Sequence, residues 1–427
     1  MRPKSSSTSN RDHNRPIRLL VVTTVGITIQ AFLRPHIKYW RQRGWMVDGA
    51  SESADTDQQF LELFDRFHGV HWSRRPIQIA KQWKGFLQIR RIMLTGCYDL
   101  VHVHTPVAGF ITRLAARTIQ QSQRPLVVYT AHGFHFHKHG SRLGNFVFKA
   151  LEKIASNGMD YLITINKEDY DAARALSLTP NERTFRTAGI GVDLSDYSLT
   201  PERHDRAHQL RMGLGIGPSE RVILMIAQLD KGKRHEDCIK GLAKIQRSDT
   251  HLVLLGEGPE RSNLKALTNA LDLSNRVHFE GFSPEVPSWL AAADVLAFTS
   301  EREGLPRCLM EGMAAHIPIV ATNIRGNAEL IERGAGRSFE VGDVQALAEQ
   351  LESAIENDDT NAQMVEIAGE RVSHYSIKFV LGEIAGIYQH AIAERFRRSS
   401  QLDFRKRKSS TNQPLDRQDS DTKLHDT

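Results

Sequence analysis

The chain has 427 residues, enough for two domains that each bury a full core, and its 40% apolar and 25% charged content is ordinary for a soluble globular protein. Its three cysteines, Cys97, Cys238 and Cys308, are widely spaced with no CxxC pair, so neither a disulfide framework nor a zinc site is indicated, and a reducing compartment is expected. The formal charge of +6 gathers at the ends, with five basic residues and one acidic in 1–18, and seven and two in 394–408.

Both ends are rich in Ser, Asn, Gln and Arg, which predicts disordered tails over residues 1–15 and 398–427. Basic tails suit an anionic membrane surface or nucleic acid, but solvated tails are the simpler reading, and no nucleic-acid partner is expected. "IRLLVVTTVGITI" follows basic residues as a signal peptide would. Thr23, Thr24 and Gly26 interrupt it and no Ala-x-Ala site follows, so it reads as a first strand. No stretch approaches the ~20 apolar residues needed to span a bilayer.

Residues 74–93, "RRPIQIAKQWKGFLQIRRIM", hold six basic residues and no acid. Ile79, Trp83, Phe86 and Leu87 fall at helical spacing, which core packing explains. The missing acids do not follow from packing, and binding of this helix to an anionic membrane surface fits them.

Short apolar runs then alternate with amphipathic ones, the pattern of parallel-sheet α/β domains. First-half strands are expected at 17–24, 99–105, 125–131 and 160–166. Second-half strands are expected at 221–228, 251–258, 276–282, 293–300 and 317–323. "GIGVDLSDYSLTPERHD" is polar and turn-rich and reads as the linker, and a helix follows residue 373. The domains predicted are 16–195 and 196–373, with a helix over 374–397 crossing back to the first. Doubly wound sheets bind ligands at the carboxyl ends of their strands, where Thr23, Thr24, His102, His104, His132, Gln228, Gly256, Gly258 and Glu303 collect.

"EREGLPRCLME" carries the strongest signal. Glu303 and Glu311 would sit about 80° apart on a continuous helix, so a single helical face does not explain them. A strand, a turn and a helix opening near Pro306 do. The free N–H groups of that helix suit a phosphate, and two carboxylates beside a phosphate would serve hydroxyl groups. A diphosphate flanked by hydroxyls is a nucleotide sugar. Lys231, Lys233 and Arg234 open a helix just after a strand and could neutralise a diphosphate leaving group, although an exposed basic loop is the plainer reading. "GEGP" (256–259) is a glycine turn without the G-x-G-x-x-G nicotinamide pattern. "AHGFHFHKH" (131–139) has four histidines but no nearby acid or cysteine to complete a metal shell. His132 reads as a hydrogen-bonding group, and no metal is expected.

Together these residues resemble the family-4 retaining glycosyltransferases of the GT-B fold, which has two facing Rossmann-like doubly wound domains with a cleft between them. "SEREGLPRCLMEGMAAHIPIVATNIRGNAELI" is similar to that family's donor-site signature. "TTVGITIQAFLRPHIKYWRQRGWMV", "YDLVHVHTP", "YTAHGFHFH", "DYLITINKEDY" and "GIGVDL" resemble a subgroup that builds capsule, exopolysaccharide and O-antigen chains on polyprenyl-diphosphate lipids. The resemblance runs from about residue 16 to 395.

The resemblance implies that Glu303 contacts the transferred sugar, with the Gly304–Leu305–Pro306 backbone around it. Glu311 would hold the ribose, Lys233 the diphosphate, and the Gly281–Phe282 turn would lie near the base. His132 would approach the sugar from the first domain, with Gly26 and His104 on the acceptor side. Gln228 stands where many members have arginine, so neutralisation leans on Lys233, with Arg234 as a second cation. His316 replaces a usual glycine, and the family's first-loop glycine pair is reduced to Gly26. The Asp-Thr-Asp at 55–57 resembles a metal–nucleotide motif of other glycosyltransferases, but no strand precedes it and it reads as chance.

The expected activity is transfer of a hexose or N-acetylhexosamine from a UDP-sugar to a polyprenyl-diphosphate-linked saccharide. It would proceed with retention and without metal or cofactor, by a peripheral protein on the cytoplasmic face of the membrane. A nucleotide-sugar epimerase of the same fold, or a non-catalytic GT-B binding protein, is the alternative.

Overall fold

The computed structural model describes residues 15–52, 58–73, 78–138, 140–356 and 359–410, with side chains up to Arg397. The Asp55–Asp57 run, Arg74, Arg75, His139 and the tails 1–14 and 411–427 lie outside the described residues.

The first half forms a seven-stranded parallel sheet in the order β3-β2-β1-β4-β5-β6-β7. Its strands are β1 (Arg18–Val25), β2 (Met46–Glu52), β3 (Arg66–Gly69), β4 (Leu100–His104), β5 (Leu126–Ala131), β6 (Tyr161–Thr164) and β7 (Thr184–Arg186). The second half forms a six-stranded parallel sheet in the order β10-β9-β8-β11-β12-β13. Its strands are β8 (Arg221–Ile226), β9 (Thr250–Leu255), β10 (Val277–Gly281), β11 (Val295–Phe298), β12 (Ile319–Thr322) and β13 (Arg337–Phe339). Winding reverses between β1 and β4 in the first sheet and between β8 and β11 in the second, and a doubly wound sheet opens a ligand crevice at that point.

Each expected apolar run became a strand because both faces of these sheets are covered. Leu224, Val253, Leu296 and Ile319 pack on one face of the second sheet, and Ile223, Leu252, Val295 and Val320 on the other. Burying each such side chain stabilises by about 1.5–3 kcal/mol. The first sheet has its own core around Leu20, Val101, Val127 and Leu162.

The segment read as a polar linker is partly a packed seam. Val192 N donates to Tyr375 O (2.9 Å), Ile377 N donates to Val192 O (2.8 Å), and Val192 and Tyr197 are buried. The helix Ile377–Ser410 opens there and runs beyond residue 397. Glu383 on its first part accepts from Ala188 N (3.0 Å). By packing, residues up to Ile384 form one body, and the rest of the helix from Ala385 is a separate unit.

One expectation is corrected. Ile79, Trp83 and Leu87 were assigned to the core, yet they are 77%, 61% and 50% exposed on the helix Ile79–Thr95. That helix buries only Gly85, Ile89 and Met93, with Phe86 half-buried against the core. No helix among the described residues is long and apolar enough to cross a membrane.

Candidate active site

The loops leaving β8 and β11, neighbours at the second sheet's reversal, are stitched together. Thr299 Oγ1 donates to the carbonyls of Lys233 (2.8 Å) and Arg234 (2.9 Å), and Glu301 N donates to Gly232 O (3.0 Å). Asp230 Oδ1 accepts from Lys233 N at 3.2 Å. The result is an ion pair between Lys233 Nζ and Glu303 Oε1, both largely shielded. Immediately beyond, the helix Arg307–Ala314 starts after Pro306 with no side chain capping it, so its first N–H groups remain available to an anion.

Arg234 turns elsewhere. At φ 54° its guanidinium makes two bonds to Asp237 (2.6 and 2.9 Å), so Lys233 is the cation beside Glu303. Gln228 is exposed at the end of β8, and Phe282 is 81% exposed after Gly281, whose φ is +70°.

Glu311 is buried. Its Oε1 accepts from Tyr197 Oη at 2.7 Å and pairs with Arg307 Nε at 2.8 Å. Burial and then the Glu311 charge push the Tyr197 phenol up, so it stays protonated as a donor. Arg307 Nη1 also donates to Ala31 O in the first half, at 2.7 Å. Ala31 lies in a π-helical stretch, Ile29–Leu33, that follows Gly26 at the end of β1.

The first half contributes a column of imidazoles. His104 Nδ1 and His132 Nε2 are 3.0 Å apart, the His102 and His104 rings are 4.1 Å apart, and His102 Nε2 bonds Thr130 Oγ1 at 2.7 Å. Burial lowers all of them. It takes His132 to about 4 with help from His36, and His102 and His104 well below the ordinary value. Neutral rings can share one proton along such a bond, His104 and His132 each being donor or acceptor by tautomer.

The two halves meet at main chain. A Cβ on Gly304 would fall 2.0 Å from His132 O, and Gly133, at φ +121°, faces Gly304 Cα. Asn166 Nδ2 donates to Gly304 O (3.1 Å). Arg325 Nε donates to Glu303 O (2.7 Å), its Nη1 to Asp169 Oδ1 (2.7 Å) and its Nη2 to Phe134 O (2.8 Å). Leu305 is buried with its side chain toward Gly189. Beside this seam lies a cavity of about 690 Å³, lined by His137 from the first half and by Asp230, Lys233, Arg302, Asn323 and Glu340 from the second. That volume admits a small-molecule ligand.

The structure thus pairs Glu303 with Lys233, sets the His132 carbonyl against Gly304, carries Glu311 on the helix Arg307–Ala314 that follows, and places Gly26 and His104 at the first sheet's own reversal. Sequence reasoning missed Arg325, Asn166 and Tyr197. Only Asn166 had a signal, since it caps the helix Lys167–Ala175 with an acid three residues on. Among the described residues, no three or more His, Cys, Asp or Glu side chains are grouped to hold a metal ion.

Residues 208–371 match the family model "Glycosyl transferases group 1", and residues 19–166 match "Glycosyl transferase 4-like". The chain is 32% identical over 375 residues to "Putative glycosyltransferase EpsD" of Bacillus subtilis (strain 168), covering 87% of this chain and 96% of that one. It belongs to the group 1 glycosyltransferases. A second relative is the UDP-Gal:alpha-D-GlcNAc-diphosphoundecaprenol alpha-1,3-galactosyltransferase of Escherichia coli, 25% identical over 328 residues, 74% of this chain and 81% of the other. Among solved structures, Anabaena HepE in complex with UDP and glucose superposes with TM-score 0.73 at 22% identity, covering 88% of this chain and all of that chain. As in other group 1 glycosyltransferases of this architecture, two Rossmann-like domains make up the GT-B fold.

Proposed function

We propose that this group 1 glycosyltransferase moves a hexose or N-acetylhexosamine from a UDP-sugar to a lipid-linked saccharide, with retention and without a metal, in surface-polysaccharide synthesis. The observation that carries the proposal is the Lys233–Glu303 pair just ahead of the uncapped Arg307–Ala314 helix, with the His132 carbonyl of the opposite half against Gly304. Glu303 neutralises Lys233. An arriving diphosphate takes that lysine and the helix N–H groups, which releases the Glu303 carboxylate to accept from sugar hydroxyls. Negative charge grows on the diphosphate as the bond to the sugar breaks, where a fixed cation and aligned amide dipoles act most strongly. In this reading Glu311, held by Tyr197 and Arg307, accepts from ribose hydroxyls, and the exposed Phe282 flanks the base. His132, kept neutral, offers a hydrogen bond without adding charge.

The UDP donor is supported by the UDP bound to HepE, and the lipid-linked acceptor by the Escherichia coli relative's name. The decisive experiment offers several UDP-sugars with undecaprenyl-diphosphate-linked N-acetylglucosamine. It follows UDP release and the anomeric configuration of the product by NMR. Acceptor-dependent UDP release with retained configuration is expected. Conversion of one UDP-sugar into another without acceptor would replace this reading with the epimerase, and nucleotide binding with no turnover would replace it with a binding protein.

A further inference from the structure

Three helices cover one face of the first sheet. The central one, Pro106–Arg117, is flanked by Ile79–Thr95 and by Arg142–Ser156. Arg90 Nε donates to Thr118 Oγ1 (2.9 Å) on one side, and Arg113 pairs with Glu152 (2.7 Å) on the other. Arg117 Nη1 also donates to Ile154 O at 2.8 Å. The layer's outward surface is therefore made by the two flanking helices.

That surface is apolar where a solvated helix is polar. Arg142–Ser156 buries only Ala155 and Ser156, while Leu143, Phe146, Val147 and Ile154 are 75%, 71%, 45% and 51% exposed at spacings of three, one and seven. Together they form one stripe along the helix. Ile79, Trp83 and Leu87 continue the apolar surface on the other flank. Monomeric proteins seldom expose so many large side chains together.

The charge is one-signed. Across the three helices stand nine Lys and Arg residues and a single acid, Glu152, which Arg113 already neutralises. Lys81, Lys84, Arg91, Arg142 and Lys149 are exposed around the apolar stripes. A second copy docking by the same face would set these cations against their own kind.

We infer that this face, led by Leu143, Phe146, Val147 and Trp83, docks on an anionic lipid bilayer, with the surrounding cations on the headgroups. Apolar side chains amid lysine and arginine are what an interfacial helix presents. The chain leaving His132 enters the stripe at Arg142 after one loop, so docking sets the first half's part of the cleft close to the lipid surface. The inference stands apart from the transfer reaction, since lipid binding needs neither donor nor acceptor.

The test is flotation of the full chain with vesicles of phosphatidylglycerol and phosphatidylcholine, and with phosphatidylcholine alone, in the absence of nucleotide sugar. Binding to the anionic vesicles that weakens with salt is expected. Phe146→Glu with Val147→Glu should lower it at least tenfold, and Lys81→Gln or Lys84→Gln about fivefold each, with melting temperature unchanged because all four side chains are exposed. Failure of the unmodified chain to bind, or equal binding by the Phe146→Glu, Val147→Glu variant, would overturn the inference. So would a dimer in solution that this variant converts to monomer, because the face would then cover a second copy.

Discussion

Arg325 and Asp169 form a 2.7 Å ion pair across the two halves, with side chains 5% and 1% exposed. The same guanidinium holds the carbonyl of Glu303, so this one residue links the Glu303 loop to the first domain, alongside the Asn166 bond to Gly304 O. Removing Arg325 leaves a buried carboxylate whose pKa burial already raises. Arg325→Ala should therefore destabilise the fold by about 3–5 kcal/mol in denaturant titration. Arg325→Lys keeps the charge but loses the fork. Its kcat should fall at least tenfold with a smaller change in KM, and an unaltered kcat would show that the anchor does not position Glu303.

Gly304 permits the closest approach of the halves. Gly304→Ala puts a methyl 2.0 Å from the His132 carbonyl, where backbone must yield. Transfer should drop by two orders of magnitude or more, because misplacement of about 1 Å has that effect. Each domain's core is untouched, so a cooperative unfolding transition should persist.

Lys233 and Glu303 should fail in different ways. If Lys233 meets the donor diphosphate as proposed, Lys233→Met should lower kcat by about 10²–10³-fold, the loss typical of a group that stabilises developing charge. Glu303→Gln removes the carboxylate proposed to accept from sugar hydroxyls but retains its shape. It should still bind UDP in calorimetry while turning over at least a hundredfold more slowly.

Tyr197→Phe deletes one hydrogen bond to Glu311. A bond to a charged group contributes about 1.5–3 kcal/mol, which corresponds to roughly ten- to a hundredfold in donor KM. Under the proposed ribose role of Glu311, the effect belongs in KM with kcat nearly constant.

Acid should loosen the first domain. His132 falls from 6.5 to about 4 in the folded chain, and His36, His102 and His104 are lowered too, mainly by burial. The unfolded chain then binds more protons below about 6.5, so stability is full above that pH and is lost as pH falls toward 4. Melting temperature measured from pH 8 to 4 should decline over this window, and His132→Asn should flatten part of the decline.

Strands buried on both faces were legible because their apolar runs are continuous, as in "RVILMI" of β8. β2 ("MVDGASE"), β3 ("RFHG"), β7 and β13 carry no such run, and neighbouring strands hold them in place. Glu303, Lys233 and His132 could be found because each follows a strand's carboxyl end. Arg325 and Tyr197 could not, because their partners lie 156 and 114 positions away and only folding sets them side by side. The exposed Trp83 was misplaced for a related reason. Helical spacing reveals a stripe without revealing whether protein covers it.

The contact between Gly304 and His132 is backbone against backbone, and the Asn166 and Arg325 side chains brace it, so a substitution at any of these positions shifts main chain before it alters a binding surface. An engineer wanting a different sugar would leave this joint alone and build a library at the cavity rim, at His137, Arg302, Asn323 and Glu340. New selectivity could be sought there without disturbing the packed joint between the halves.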